Sequence, residues 1–364
     1  TLNCALELLW YSTPMTEVHI NSTYADRQGG KALGLHLLRD MGYQVPDYFV
    51  VSHDDDSTSP EAIARFTRFA TQTGRVAVRS SANIEDGAHY SFAGQFDSYL
   101  DVPADEIPAR IADVRESITS DHVRQYTEAM GLAVDDIKMN VIVQQFEEPN
   151  AGGVWMGTGA SGGRLEWVDG RGDAVVNGTA EPYFESYGQD GTMLAKNADL
   201  ILADDSGRSV AEVCKEIQEK LGYNVDLEFC ITKNGVQWLQ LRKVTKDIET
   251  HSTPEAEEVL EALTINGEAA SPYTASGTAY RLDQKGGIEW GMGKILIARA
   301  TSPADMMYIM TAEGVVTRMG GMLSHSAVVC RELGKACVVG VDIDKIDHGS
   351  AVSIDGKAGK VFLS

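Results

Sequence analysis

The chain has 364 residues, 43% of them hydrophobic, which is enough to bury two cores; 31 basic residues against 53 acidic ones leave a net charge of −22. That charge argues against general nucleic-acid binding, and no apolar run approaches the ~18 residues of a membrane span. Five scattered cysteines (Cys4, Cys214, Cys230, Cys330, Cys337), none in a CxxC pair, argue against a zinc site or a disulfide framework and predict a reducing, cytoplasmic setting.

The opening TLNCALELLWYSTP has no basic n-region and no clean small-residue cleavage site, which argues against a secretory signal; Met15 heads the polar stretch into the first motif, so residues 1–14 read as upstream sequence or a non-native leader. GKALGLHLLRDMG, 30–42, puts Leu33, Leu37, Leu38 and Met41 at helical spacing and ends in Gly42, a helix stop. VPDYFVVS and RVAVRSS (75–81) predict strands, 105–130 predicts helix, and MNVIVQQF (139–146) a buried strand. The glycine-rich stretch 150–183 predicts strands and loops. A helix at 206–222 then precedes two strands, DLEFCIT and VQWLQLRKV, around the turn KNG. KDIETHSTPEAEEVLEALTINGE, 246–268, is acidic, poor in aromatics and broken by a proline, which predicts a linker with a short helix in it. A compact α/β stretch runs from there to the end.

Three separated pieces supply what a nucleoside triphosphate needs. Gly29-Gly30-Lys31 opens a helix: glycines let backbone N–H groups approach a phosphate, and the lysine adds charge, although alone the trio is also an ordinary loop. Arg79 ends a strand before Ser80 and Ser81, where it can grip a phosphate bidentately; an ion pair with Glu85 or Asp86 explains that arginine equally well. Glu228 and Gln240 fall on adjacent antiparallel strands, and Arg242 shares a face with Gln240 through the two-residue period. Carboxylate and amide oxygens suit Mg²⁺, and Arg242 suits phosphate oxygens; out of context, the trio also fits an exposed hairpin face.

The stretches GGKALGL (29–35), VAVRSSANIEDGAHYSFAGQFDSYLDV (76–102), VIVQQF (141–146), GDAVVNGTAEP (172–182) and DLEFCITKNGVQWLQLRKVT (226–245) occur in order. Together they resemble the ATP-grasp domain of the phosphoenolpyruvate synthase and pyruvate phosphate dikinase family, which includes rifampin phosphotransferases. The resemblance implies that Lys31 and Arg79 hold ATP phosphates, with Gly94 and Ser98 lining the same site and Gln144 near the adenine or ribose. It also implies that Glu228 and Gln240 serve Mg²⁺-bound phosphates beside Arg242. LQLRKVT departs from the usual LQARPIT, so Lys243 replaces a proline, and GVWMGTG (153–159) stands for the usual FTxxP segment.

His325 follows GGMLS and starts the apolar run Ala327, Val328, Val329, Leu333, with Ser324 suited to an N-cap and Gly334 to a stop. A helix N-terminus disfavours imidazolium and leaves a neutral, nucleophilic ring; a lone histidine of this kind is also an ordinary packing residue. The whole of 295–364 looks like the swivelling phosphohistidine domain of the same family, close to GGxTSHxAIVAREL…PAVVG. Leu323 replaces the customary threonine, Lys335-Ala336-Cys337 the usual isoleucine-proline-alanine, and Arg318 a common acidic residue. Thr301, Ser302 and Pro303 open a further family segment or simply cap a helix.

The resulting expectation is a multidomain α/β and α+β protein. An ATP-grasp domain over 15–247 precedes an acidic linker over 248–268 and a small swivelling β/β/α phosphohistidine domain over 269–364. The resemblance implies an ATP-dependent phosphotransferase using ATP and Mg²⁺, with His325 as the phosphoryl carrier and AMP and phosphate as products. A small-molecule acceptor, pyruvate-like or other, follows, with neither nucleic acid nor membrane as partner. No acceptor domain is recognisable after His325, which leaves three origins open: a separate acceptor subunit, an acceptor bound between the two domains as in a small-molecule kinase, or a truncated chain. A carrier that signals through phospho-His325 without turnover is the reading from another class.

Overall fold

A computed structural model describes residues 28–85, 96–129, 131–159, 161–198, 208–244, 263–284 and 287–363. Three sheets organise them. The first is antiparallel, in the order β1 (Tyr48–Val51), β4 (Met139–Gln145), β2 (Val76–Ala82), β3 (Ser98–Val102). The alternating valines of β2 and β4 bury Val76, Val78, Val141 and Val143 against the helices Pro60–Thr73, Ile107–Glu116 and Asp121–Ala129.

The second sheet is also antiparallel and runs β10 (Gly235–Lys243), β9 (Val225–Thr232), β5 (Ala151–Gly157), β6 (Gly163–Asp169), β7 (Tyr183–Tyr187), β8 (Met193–Lys196). The Val210–Leu221 helix lies on it, burying Val213, Cys214 and Ile217 against Trp155, Trp167 and Leu227. A capping box between Ser209 and Glu212 starts that helix, and left-handed Gly222 ends it.

The Gly30–Asp40 helix is wedged between these two sheets. Ala32 and Leu35 meet Ile142 of β4, while Leu37 and Leu38 join the core of the second sheet. Gly34 makes the wedge possible, because a Cβ there would stand 2.2 Å from the carbonyl oxygen of Leu241 on β10. Gly34→Ala is therefore expected to cost about 1–3 kcal/mol through overpacking, read as a lowered thermal midpoint. An unchanged midpoint would show that the helix does not press on β10.

The third sheet is mixed and runs β11 (Leu263–Asn266), β18 (Lys360–Leu363), β17 (Ala351–Asp355), β13 (Thr274–Arg281), β14 (Lys294–Ala298), β15 (Gly314–Thr317), β16 (Ala336–Val339), β12 (Glu268–Ser271). Its edge strands β11 and β12 are neighbours in sequence, joined through Gly267, so one bent segment brings the two ends of the sheet together. The helices Met306–Thr311 and His325–Leu333 lie against it.

Most of the expected linker falls outside the described residues, as does its short helix. Its last residues are a correction, since Leu263–Asn266 pair with Lys360–Leu363 as part of the third sheet. Alternating Leu263 and Ile265, with Ile265 buried, carry a strand signal that the acidic composition upstream obscured.

Candidate functional site

The nucleotide constellation assembles where the wedged helix meets β2, β9 and β10. Gly29 has φ +84°, and a Cβ there would come within 2.0 Å of the Ser81 carbonyl oxygen. That close approach lets the Ser81 hydroxyl accept from the Ala32 amide at 3.1 Å and donate to the Gln28 carbonyl at 2.8 Å. Ser81 thus pins the glycine turn, and Lys31 emerges at the helix start. Lys31 Nζ donates to the Ser80 hydroxyl and the Glu85 carboxylate, both at 2.8 Å. Glu85 itself is buried and accepts from the Ala82 amide at 2.7 Å.

Arg79 does not pair with Glu85. It reaches across to the second sheet, donating to the Leu239 carbonyl at 2.6 Å, Glu228 Oε2 at 3.1 Å, Gln240 Oε1 at 3.1 Å and Gln144 Oε1 at 3.5 Å. Gln240 lies directly opposite Glu228 in the ladder, and Arg242 opposite Asp226. Arg242 Nε donates to Asp226 Oδ2 at 2.6 Å. Burial raises the Asp226 carboxyl above its usual range, and the neighbouring Arg242 offsets only part of that rise. Gln144 is buried, and its Nε2 has no hydrogen-bond partner among the described residues.

Lys31, Arg79, Glu85, Gln144, Asp226, Glu228, Gln240 and Arg242 line one cavity of about 640 Å³, together with Ser98. So does His325, with Pro303, Leu323 and Val328 from the same domain. His325 is the first residue of its helix, is buried, and has no partner at Nε2 among the described residues. Burial pushes its pKa down to about 4, with Asp305 opposing. The ring is neutral as expected, but desolvation is the largest cause.

Ser324 holds the N-cap position without capping: its hydroxyl donates to the Gly321 carbonyl at 2.8 Å, which the tight Gly320–Gly321 turn brings within reach. At the head of a single turn the Ser302 amide and hydroxyl both donate to Asp305 Oδ2 at 2.8 Å, and Pro303 lines the cavity.

Of the expected site residues, the structure brings together Lys31, Arg79, Ser98, Gln144, Glu228, Gln240, Arg242 and His325. Gly94 lies outside the described residues. Sequence reasoning missed Asp226 and Glu85. The signal for Asp226 was present, because it sits two residues before Glu228 on one strand face. It also missed Glu166, a fully buried carboxylate on β6 that touches the loop ahead of His325.

Charged side chains from the first two sheets and a buried histidine from a helix on the third thus face one cavity. Residues 57–199 match the pyruvate phosphate dikinase AMP/ATP-binding domain, and residues 291–359 match the mobile domain of PEP-utilising enzymes. The chain is 29% identical over 326 residues to a probable phosphoenolpyruvate synthase of Methanothermobacter thermautotrophicus, covering 79% of this chain and 47% of the relative. It is 29% identical over 342 residues to the phosphoenolpyruvate synthase of Pyrococcus furiosus, covering 81% of this chain and 42% of the relative. In both regions the chain is similar to the phosphoenolpyruvate synthase and pyruvate phosphate dikinase family, an AMP/ATP-binding domain match preceding a mobile-domain match. It spans less than half the length of these two curated relatives. Among the described residues no helix is long and apolar enough to cross a membrane.

Proposed function

We propose that the chain is an ATP-dependent phosphotransferase in which His325 accepts a phosphoryl group from ATP and passes it to an acceptor. The observation that carries this reading is the shared cavity: a buried histidine whose Nε2 lacks a partner among the described residues lines the same space as Lys31, Arg79 and Arg242.

In the first transfer the His325 Nε2 lone pair bonds to the β-phosphorus of ATP. The bridge to the α-phosphate breaks, and AMP leaves with its electron pair. Water cleaves the β–γ bridge, releasing phosphate and leaving one phosphoryl group on the ring. A nucleophilic oxygen of the acceptor then takes that group and returns the electron pair to His325. Splitting one hard transfer into two easier ones is the gain from a covalent carrier.

Lys31, held by Ser80 and Glu85, and Arg79 meet the phosphate oxygens, and Gln144 offers its Nε2 to the adenine or ribose. Glu228 and Gln240 present hard oxygens side by side, a donor set that fits Mg²⁺, which takes few protein ligands and keeps the rest for phosphates. Mg²⁺, when bound, neutralises charge on the transferring phosphates. It is needed, because the lining carries four cations (Lys31, Arg79, Arg171, Arg242) against five carboxylates (Glu85, Glu147, Asp173, Asp226, Glu228) among the described residues. These side chains alone offer a triphosphate no positive excess.

Incubation with Mg²⁺ and β-labelled ATP is expected to give AMP, phosphate and an acid-labile, base-stable label on the protein. ADP as the only nucleotide product would overturn the proposal. A screen of small metabolites then reads the acceptor: continuous AMP release identifies a soluble acceptor, pyruvate-like or other, and a single stoichiometric burst identifies a carrier that hands its group to another subunit.

A further inference from the structure

Glu166 is a buried carboxylate that the phosphotransfer chemistry does not use. It lies on β6, flanked by β5 and β7, with no exposed surface and outside the cavity lining. A carboxylate so placed is tolerated only when donors surround it. One donor comes from its own strand, Arg164 Nε at 2.7 Å. The other two come from the mobile domain: the Met322 amide at 3.0 Å and the Leu323 amide at 3.2 Å. These residues stand third and second before His325.

The contact is shaped for this loop. A Cβ on Gly321 would stand 2.4 Å from Glu166 Oε2, so only glycine lets the backbone come this close. Arg331, on the His325 helix, holds the same loop from the other side, donating to the Met322 carbonyl at 2.7 Å. Arg164 extends the seat, forming an ion pair with Glu268 of the mobile domain while lying over the Phe184 ring at 3.9 Å. Beside it, Leu323 and Val328 of the mobile domain close an apolar cluster with Val154, Met156 and Val168 of the second sheet.

We infer that Glu166 is the seat of the docked mobile domain, a positioning residue that sets His325 at the nucleotide cavity through the amides of Met322 and Leu323. This rests on the phosphotransfer reading above for its purpose, but the docking itself is measurable without any transfer. When the mobile domain leaves, Glu166 exchanges two protein N–H donors for water; when it returns, the two bonds fix where the loop stops.

The test uses diethylpyrocarbonate, which acylates unprotonated imidazole, with peptide mapping of His325. Glu166→Gln and Gly321→Ala weaken one contact from opposite domains. Each is expected to raise His325 modification roughly tenfold, the factor that about 1.4 kcal/mol of lost docking energy produces. Each slows labelling by β-labelled ATP to a similar degree, with ATP affinity unchanged. The double variant is expected to be no worse than either single one, because both remove the same contact.

Unchanged protection of His325 in both single variants, additive effects in the double, or a parallel loss of ATP affinity would overturn the seat. If Glu166→Gln exposes every histidine alike, it has unfolded, and Gly321→Ala then decides between seat and no seat. Absence of label in the wild-type protein would count against phosphotransfer and leave the modification result standing on its own.

Discussion

His325→Ala is expected to reduce the acid-labile label to below about one part in 10³ while nucleotide binding persists, since removing a covalent nucleophile leaves no substitute group. The described residues offer the cavity wall no second histidine. The pH dependence sharpens this. With its pKa pushed down to about 4, His325 is neutral and nucleophilic from pH 8 down to about pH 5, so this group imposes no loss of labelling in that range. Labelling falls as pH nears 4.

The same depression has a stability consequence with a definite sign. Between about pH 6.5 and 4 the unfolded chain binds a proton at His325 that the folded chain does not. The stabilising contribution of a neutral buried ring is fully present above pH 6.5 and is lost as pH falls toward 4. It amounts to about 3 kcal/mol at most. Urea midpoints should therefore drop further between pH 7 and pH 4 for the wild-type protein than for His325→Ala. A difference that does not vary with pH would show that the ring is not buried. A variant that still labels normally would remove His325 from the chemistry.

Arg79→Ala is expected to have the second-largest effect, because this side chain does two things at once. It contributes charge to the cavity, and it ties β2 of the first sheet to β9 and β10 of the second through Glu228, Gln240 and the Leu239 carbonyl. Its removal leaves Glu228 half-buried without its cation and the two sheets without their crossing bonds. Labelling is expected to fall by about 10²–10³, the usual consequence of deleting one preorganised charge at a reacting centre. Stability is expected to fall by about 2–3 kcal/mol, less than for a fully buried pair because Glu228 keeps some contact with water. Arg79→Lys keeps the charge and loses the fork, so it restores binding better than it restores the tie between the sheets. Calorimetric ATP titration and urea unfolding of the two variants separate these effects. Labelling by Arg79→Ala within threefold of wild type would exclude Arg79 from transfer.

The parts of the site that were legible share a local signature. Glu228, Gln240 and Arg242 were readable because a two-residue period on a hairpin fixes which side chains share a face. Lys31 was readable because glycines before a helix imply an exposed helix start. Partners set by the chain path between elements were not readable. Glu85 is close enough in sequence to pair with Arg79, yet the turn after β2 folds it back onto Lys31, leaving Arg79 for Glu228. Glu166 gave no signal at all, since an acidic residue in a buried strand looks like a misfit until the loop 156 residues further on supplies its donors. For His325 a neutral ring was legible and its main cause was not: a sequence shows a helix end but not how deeply that end is buried.

The joining of β11 to β12 through Gly267 bears on how the edges of the third sheet are managed. A sheet that leaves its neighbours exposes whatever strand edges it has, and an unpaired edge is a template for association with another chain. In the third sheet the two edge strands are only four residues each, and they are the two arms of one bent segment. Whatever uncovers this domain therefore bares two short, angled edges rather than one long flat one. The bend that brings the two ends of the sheet together also keeps each free edge too short to template association with another chain.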